Sequence, residues 1–357
     1  MAIFNYKYFM IIFSFCFIIL VIVIISAEYL FLLRNPYERL SDDRQANATI
    51  NLEGLPAASI VSAKLNHGAG LNKAYDIGIF GNSRAVMLGA QHIKAIQGRT
   101  FFNFAVGGTS FQQSVRSLEY LANHGKAPRV AIISYDNAEL QFVGIHYWPA
   151  PIFELARFFE DGAILLREDY GTLHQRINDL AKLADHFSGQ AWHKFELMWN
   201  FNFLLQRLNH FITLWLGSDQ GPLSNLPDGS RVQKTPIDQI NFETFRPETS
   251  MPRAENRFLL IGLRRLTRLA EKHGIRIIIY ESPLAPPLAL KYMSEPTGPA
   301  IETRRWFKRG CRNTILECYP APIFKTENSN HWPDCCHAPA DKLGTFISDI
   351  INAPSRP

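Results

Sequence analysis

The sequence predicts an α/β protein: a three-layer, doubly wound parallel sheet with a helical insertion and an N-terminal transmembrane helix. Short apolar runs alternate with stretches of helical periodicity, as in βαβ units. The alternation begins at Ile77, pauses after Tyr135 and resumes near Glu255. Because the predicted strands are apolar nearly throughout, we expect them to be buried on both faces, as in parallel sheets. An uncharged run from Phe9 to Ile25 supplies the predicted membrane segment.

Length and charge narrow the class of protein. The chain has 357 residues, 47% of them hydrophobic, which is enough for one large or two ordinary domains. Its net charge of +5 is modest and is spread along the chain without a Lys/Arg tract. We therefore exclude nucleic acid as a partner.

The first 33 residues divide into a tail, residues 1–8, and a predicted membrane anchor, residues 9–33. The apolar run suits the ~20 residues that a helix needs to cross a bilayer, and it exceeds the ~7–15 residues of a signal-peptide core. A cleaved signal peptide is the alternative. The basic residues that flank the run do not favour an external C-terminal domain. A short N-terminal tail usually stays in the cytosol, however, and the cysteines support the same orientation.

Cysteine usage is typical of an oxidising compartment. Four of the five cysteines lie in the last fifty residues: Cys311, Cys318, Cys335 and Cys336. An even cluster suits two disulfides, with three possible pairings. A metal site with His331 or His337 is the alternative, but the spacing fits no standard zinc pattern. We expect a single-pass protein of the inner (cytoplasmic) membrane, with its domain on the periplasmic side.

The elements follow in order. Residues 34–70 are polar with little periodicity and are predicted to be a linker. The α/β domain is predicted over residues 71–357. Its first half is predicted to contain strands Ile77–Phe80, Phe101–Val106 and Arg129–Tyr135, and helices Ala85–Ile96 and Phe111–His124.

An insertion separates the two halves of the α/β pattern. Residues 142–250 are rich in Phe, Leu, Trp and His, with apolar runs at helical spacing over residues 153–159, 173–187 and 199–216. They predict helices, with no role assigned. The second half is predicted to contain helix Asn256–His273, strands Ile275–Tyr280 and Thr314–Tyr319, and a last helix over Lys342–Ile351.

Candidate functional residues follow the predicted strands. Ser83 lies on a glycine turn with a predicted helix behind it, where free N–H groups can hold an oxyanion. The alternative role for Ser83 is a helix cap. Gly108 follows the second strand and lets backbone approach a substrate. Asn137 follows the third strand, and its amide can donate a hydrogen bond.

A base and its orienting carboxylate are predicted near the C-terminus. In Asp334-Cys-Cys-His337 the carboxylate can fix the imidazole tautomer, so that the imidazole can take a proton from a serine. Nucleophile, base and orienter are the groups that acyl transfer needs. His331 is a rival base, but Ser329 stands where its carboxylate would be.

These motifs resemble those of the SGNH (GDSL-like) hydrolase superfamily, over residues 71–140 and 255–357. Gly81-Asn-Ser-Arg84 resembles the first block, and many membrane-anchored relatives read Gly-Ser-Ser-Arg there. Asn103-Phe-Ala-Val-Gly-Gly108 resembles the second block, and Asp334-x-x-His337 the last. The third block, Tyr135-Asp-Asn-Ala138, keeps only the asparagine.

The resemblance implies a flavodoxin-like domain of the SGNH type with a defined division of roles. Ser83 would be the nucleophile, His337 the base and Asp334 the orienter. The N–H groups of Ser83 and Gly108, with Asn137, would hold the oxyanion. Arg84 would form a salt bridge near the site or bind a substrate carboxylate or phosphate.

The resemblance implies a membrane-anchored, extracytoplasmic serine esterase or O-acyltransferase. It would act on ester-linked acyl groups of envelope carbohydrate through an acyl-Ser83 intermediate, with no metal or organic cofactor. Hydrolysis and transfer share the first half-reaction, so the motifs do not separate them. The alternative is a non-catalytic SGNH-like scaffold for binding or assembly, supported by the eroded third block. The oligomeric state stays open.

Overall fold

The computed structural model describes residues 8, 10–19, 22, 50–51, 57–136, 154–168, 171–199, 224–225, 228, 230, 255–286, 289, 299–322, 324, 332 and 337–354. In chain order the strands among them are β1 (Ile50–Asn51), β2 (Ile77–Phe80), β3 (Phe101–Asn103), β4 (Val130–Tyr135), β5 (Ser224–Asn225), β6 (Arg276–Glu281) and β7 (Glu317–Tyr319). The α-helices are α1 (Ala57–Gly70), α2 (Phe111–Asn123), α3 (Leu155–Arg167), α4 (Leu173–Trp199), α5 (Glu255–His273), α6 (Pro299–Cys311) and α7 (Ala340–Asn352).

A parallel sheet carries the fold. Its five strands lie in the order β3-β2-β4-β6-β7, and each neighbouring pair is parallel. All of β2 is buried, as is all of β4 and β6 except the first residue of each. The predicted α/β class with a parallel sheet is therefore confirmed, and β2 has the predicted bounds. The first strand of the sheet, β2, lies between its two successors, β3 and β4.

Helices cover both faces of the sheet because strand side chains alternate. On one face Phe80, Ile133 and Ile279 pack in an apolar cluster with side chains from α1, α2, α5 and α6. On the other face Ile79 and Ile132 share a cluster with side chains from α7 and from the 3₁₀ turn at Lys94–Ile96. The sheet is thus the middle of three layers.

Residues 57–70 form a helix within the segment that the sequence assigns to a linker. This helix, α1, buries Ala63 and Leu65 in the core and Lys64 at 1% exposure. The Lys64 ammonium donates to the carbonyl of Asn103, the last residue of β3 (2.9 Å), and to that of Ala105 (2.7 Å). The packed domain therefore begins before residue 71. A lysine is almost never fully buried. Sequence reasoning therefore assigns Lys64 to an exposed position and does not recognise the buried face of this helix.

The described part of the insertion is mainly helical. Helices α3 and α4 extend two of the predicted runs, and the third, over 199–216, lies outside the described residues beyond Trp199. Ile164, Leu165 and Leu183 pack against side chains of α5, which anchors the insertion to the domain. Strand β5, also from the insertion, pairs antiparallel with β1 from the predicted linker.

One disulfide joins the end of α6 to β7. It links Cys311 to Cys318, with an S–S distance of 2.09 Å and a Cα–Cα distance of 6.3 Å. The sequence left this pairing open, and Cys335 and Cys336 lie outside the described residues. In the turn that the disulfide closes, Thr314 donates to the carbonyl of Cys311 (3.0 Å). Because residues 312–316 form this turn, β7 begins later than the predicted strand.

The predicted anchor, residues 9–33, is described only in part. Residues 10–19 are helical, and their large apolar side chains are mostly exposed, Ile11 and Phe15 by more than 60%. Within the described residues, no helix has both the length and the apolar character needed to cross a membrane.

Two glycine substitutions are expected to change stability in opposite directions. A Cβ at Gly344 of α7 would lie 2.1 Å from the carbonyl oxygen of His92, whereas a Cβ at Gly189 of α4 would meet nothing within 4 Å. Gly344→Ala should therefore lower the free energy of unfolding by about 1–3 kcal/mol through overpacking. Gly189→Ala should raise it by about 0.5–1 kcal/mol. Urea unfolding followed by circular dichroism tests this, and shifts of the same sign would contradict the packing of α7 on the His92 turn.

Stability is expected to fall in mild acid because of His67 on α1. Its Nε2 lies 2.8 Å from the Tyr75 hydroxyl, and burial lowers its pKa to about 4. Between about pH 6.5 and 4 the unfolded chain binds a proton that the folded chain does not, so acid favours unfolding. The loss should reach about 3 kcal/mol at pH 4. His67→Gln should reduce this pH dependence in chemical unfolding, and the exposed-site control His273→Gln should retain it; equal curves would contradict the role of His67.

Candidate active site at the carboxyl edge of the sheet

Ser83 follows the strand at which the sheet order reverses. Chain connections run from β2 to β3 on one side and on to β4 on the other, so the carboxyl ends of β2 and β4 flank a crevice. Such switch points are where open parallel sheets bind ligands. Ser83 is half-buried there, two residues after Gly81.

Gly81 lets the turn pass close to β4. A Cβ at this position would lie 1.9 Å from the hydroxyl oxygen of Ser134 and 2.9 Å from the Cβ of Ala85. No side chain fits in that space. Packing against the neighbouring strand β4 therefore requires a glycine at this position of the turn.

The helix predicted over Ala85–Ile96 is wrong. Residues 83–87 form a turn, followed by 3₁₀ turns at Ala90–His92 and Lys94–Ile96. The physical reason lies in Asn103, whose side-chain amide donates to the carbonyls of Ala85 (2.9 Å) and Leu88 (2.8 Å), and more weakly to that of Val86 (3.4 Å). A helix would use those carbonyls for its own i+4 N–H groups. No α-helix N-terminus therefore stands directly behind Ser83.

A buried ion pair holds both sides of Ser83. The guanidinium of Arg84 lies 2.7 Å from the carboxylate of Asp136, and each side chain is 2% exposed. Asn82 donates to the same carboxylate at 3.3 Å and accepts from the N–H of Arg84 at 3.0 Å. Asp136 directly follows β4, so these bonds fasten the Ser83 turn to the end of that strand.

The Gly107–Gly108 turn lies beside Ser83. A Cβ at Gly107 would be 3.7 Å from the Cβ of Ser83. The turn is held by the Thr109 hydroxyl, which donates to the carbonyls of Val106 (2.7 Å) and Gly81 (3.1 Å). Gly108 is exposed with a φ of 75°, a conformation that favours glycine.

Two backbone donors are available at this place. Within the described residues, neither the N–H of Ser83 nor that of Gly108 donates a hydrogen bond. Further along the same turn, the N–H groups of Ala85 and Val86 both donate to the carbonyl of Asn82 and are not available. Two of the predicted oxyanion donors, the N–H groups of Ser83 and Gly108, are thus in the turns that meet at the crevice, although no α-helix N-terminus stands directly behind Ser83.

His337 lies three residues before the start of α7. It is half-buried and precedes Ala338, which shares an apolar cluster with Ala85 and Leu88. Trp332, fully buried, belongs to the same cluster. Ala338 and Trp332 therefore belong to the same apolar layer as the residues that follow Ser83. The described contacts include no hydrogen bond between His337 and the Ser83 hydroxyl.

The described structure does not include three of the predicted residues. Asn137, Asp334 and the rival base His331 lie outside the described residues. Arg84 lies next to Ser83, where it is engaged with Asp136. Within the described residues, no group of three or more His, Cys, Asp or Glu side chains is arranged to hold a metal ion.

Several structural partners of the site escaped sequence reasoning. Lys64 lies in the predicted linker, and Asp228 lies in the insertion. The Asp228 carboxylate accepts from the N–H of Ala90 at 2.7 Å, and its carbonyl accepts from the N–H of Asn103 at 2.7 Å. Of these partners, only Asn103 could have been found from the sequence, because it is the first residue of the second motif that resembles the SGNH superfamily.

Comparisons of the chain with protein-family models, curated proteins and solved structures gave no match. The assignment of the site thus depends on the residues and geometry described above.

Breaking the buried ion pair should cost far more than breaking an exposed one. Asp136→Ala would leave the Arg84 charge buried opposite a truncated partner, and we expect unfolding free energy to fall by about 3–5 kcal/mol. The control is Arg129→Ala, which removes an exposed cation 3.9 Å from Asp76; it should cost under about 1 kcal/mol. Urea unfolding compares the two, and equal losses would contradict the anchoring role of Asp136.

Proposed function

We propose that this protein is a membrane-anchored, extracytoplasmic serine esterase or O-acyltransferase of the SGNH type. It acts on ester-linked acyl groups, with envelope carbohydrate as the substrate class. The observation that carries the proposal is the meeting of Ser83 with the Gly107–Gly108 turn at the switch point of a parallel sheet. The strand order β3-β2-β4-β6-β7 supports the flavodoxin-like form of the fold that the proposal requires.

In the proposed mechanism the Ser83 hydroxyl attacks the acyl carbonyl. His337 takes the hydroxyl proton and later returns it to the leaving alcohol, while Asp334 orients the imidazole. The N–H groups of Ser83 and Gly108, with the amide of Asn137, stabilise the oxyanion. Water or a sugar hydroxyl then accepts the acyl group and frees Ser83. The buried Arg84–Asp136 pair keeps the serine turn rigid, which supports pre-organised attack.

Two observations support the proposed location. The Cys311–Cys318 disulfide suits an oxidising compartment such as the periplasm. The exposed apolar side chains of residues 10–19 suit a segment that belongs to a membrane anchor at residues 9–33. Carbohydrate is proposed as the acyl carrier because an anchored domain beside the envelope meets it there.

A fluorophosphonate probe is expected to label the full chain at Ser83. Ser83→Ala should abolish labelling, and His337→Ala should slow it by about 100-fold or more because the general base is lost. Ser188→Ala, at an exposed position of α4, is the matched control and should label normally. Circular dichroism checks that each variant is folded, and p-nitrophenyl acetate turnover gives a second readout.

The esterase form is contradicted by a folded chain that is neither labelled nor active on p-nitrophenyl acetate. The transferase form is then tested by following acetyl groups from acetylated to unacetylated glycan. If the unmodified chain also transfers no acetyl group, the competing scaffold is supported; transfer that survives Ser83→Ala would contradict the role of Ser83.

A further inference from the structure

A polar cleft of about 590 Å³ lies between helices α2, α3 and α5, in the size range of small-molecule sites. Its α2 residues, from Arg116 to Asn123, belong to the part of the helix that leads toward the start of β4. Its α5 residues, from Arg265 to His273, precede the start of β6. The cleft therefore lies toward the amino ends of the strands, away from Ser83 at the carboxyl edge.

One wall of the cleft is cationic. Arg265, Arg268 and Lys272 follow one another at helical spacing along α5 and all line the cleft. Arg268 and Lys272 are exposed, and neither forms an ion pair or hydrogen bond within the described part of the chain. Arg265 is committed to Asp161 behind the wall, at 2.6 Å. The two outer cations are thus available to an incoming anion.

The opposite wall combines carboxylates with hydrogen-bonding groups. Glu119, Glu154 and Glu160 line the cleft from α2 and from the start of α3, together with Tyr120 and Asn123. The glutamates are paired with arginines: Arg157 with Glu119, Arg116 with Glu154, and Arg265 with Glu160. A paired carboxylate still has lone pairs that can accept hydrogen bonds from sugar hydroxyls.

The cations crowd one another at the base of the cleft. Burial, with further contributions from the neighbouring Arg157 and Arg265, lowers the pKa of Arg116 to about 10. Five cations line the cleft against three glutamates, so the lining carries an excess of positive charge that favours an anion: Arg116, Arg157, Arg265, Arg268 and Lys272 against Glu119, Glu154 and Glu160.

We propose that this cleft binds a small, hydroxylated molecule carrying one anionic group, that is, a phosphorylated or carboxylated sugar. Arg268 and Lys272 hold the phosphate or carboxylate, and the glutamates, Tyr120 and Asn123 accept or donate hydrogen bonds to the hydroxyls. Guanidinium and ammonium groups both suit these anions, and guanidinium can bind them through two parallel bonds. The site is separate from Ser83 and does not rest on the function proposed for it.

The test is isothermal titration calorimetry on the purified full chain with four probes: glucose 6-phosphate, glucuronate, glucose and inorganic phosphate. We expect saturable binding of at least one anionic sugar, weakened by added salt. Glucose and phosphate alone should each bind about tenfold more weakly or worse. The difference between glucose 6-phosphate and glucuronate identifies the anionic group.

The variant Arg268→Ala/Lys272→Ala should weaken binding by about tenfold or more, because charge-assisted hydrogen bonds are lost. Both residues are exposed, so its thermal midpoint should match that of the unmodified chain. Arg305→Ala/Lys308→Ala, which removes two exposed cations of α6 outside the cleft, is the matched control and should bind normally.

Three results would overturn the proposal. Neither anionic sugar binds saturably; or the cleft variant and the control bind equally well; or phosphate binds as tightly as the sugar phosphate, which would leave only a general anion contact.

Discussion

The side chain and backbone of Asn103 are the hydrogen-bonding hub on which the site depends. Its side-chain amide holds the carbonyls after Ser83, and its side-chain oxygen accepts from the N–H of Ala105 at 2.8 Å. Its backbone carbonyl accepts from Lys64, and its N–H donates to Asp228. Four parts of the chain thus meet at one residue that is 0% exposed. Each buried polar group left without its partner would cost about 1–3 kcal/mol, so the arrangement tolerates little change.

The direction of the strands sorts the chemistry of the molecule. Because all five strands of the sheet are parallel, the residues that follow them gather at one edge: Ser83, Gly108 and Asp136. The helices that return to the strand starts carry their charged ends to the opposite edge, where Arg268 and Lys272 line the second cleft. The length of the strands therefore separates Ser83, at one edge, from the solvated cations at the other edge.

Sequence reasoning succeeded where one local signal decided the structure. The run Ile77–Phe80 is apolar throughout and too short for a helix, and it forms β2 with those bounds. The stretch Ala85–Ile96 has a helical composition, yet Asn103 takes its carbonyls, so tertiary hydrogen bonds prevail over local propensity. Helix α1 escaped prediction for a related reason. Its inner face includes Lys64, whose ammonium donates to carbonyls some forty residues later.

The sequence by itself determined the α/β class, the five strands of the parallel sheet and the order of the candidate residues, because apolar periodicity and chain order are local properties. Only the tertiary structure decided that Arg84 pairs with Asp136 and that Gly107 lies against Ser83. It alone selected the Cys311–Cys318 bridge among the possible pairings and opened a charged cleft between three helices. Each of these depends on distances between residues far apart in the chain, which are set by how the sheet and its helices pack.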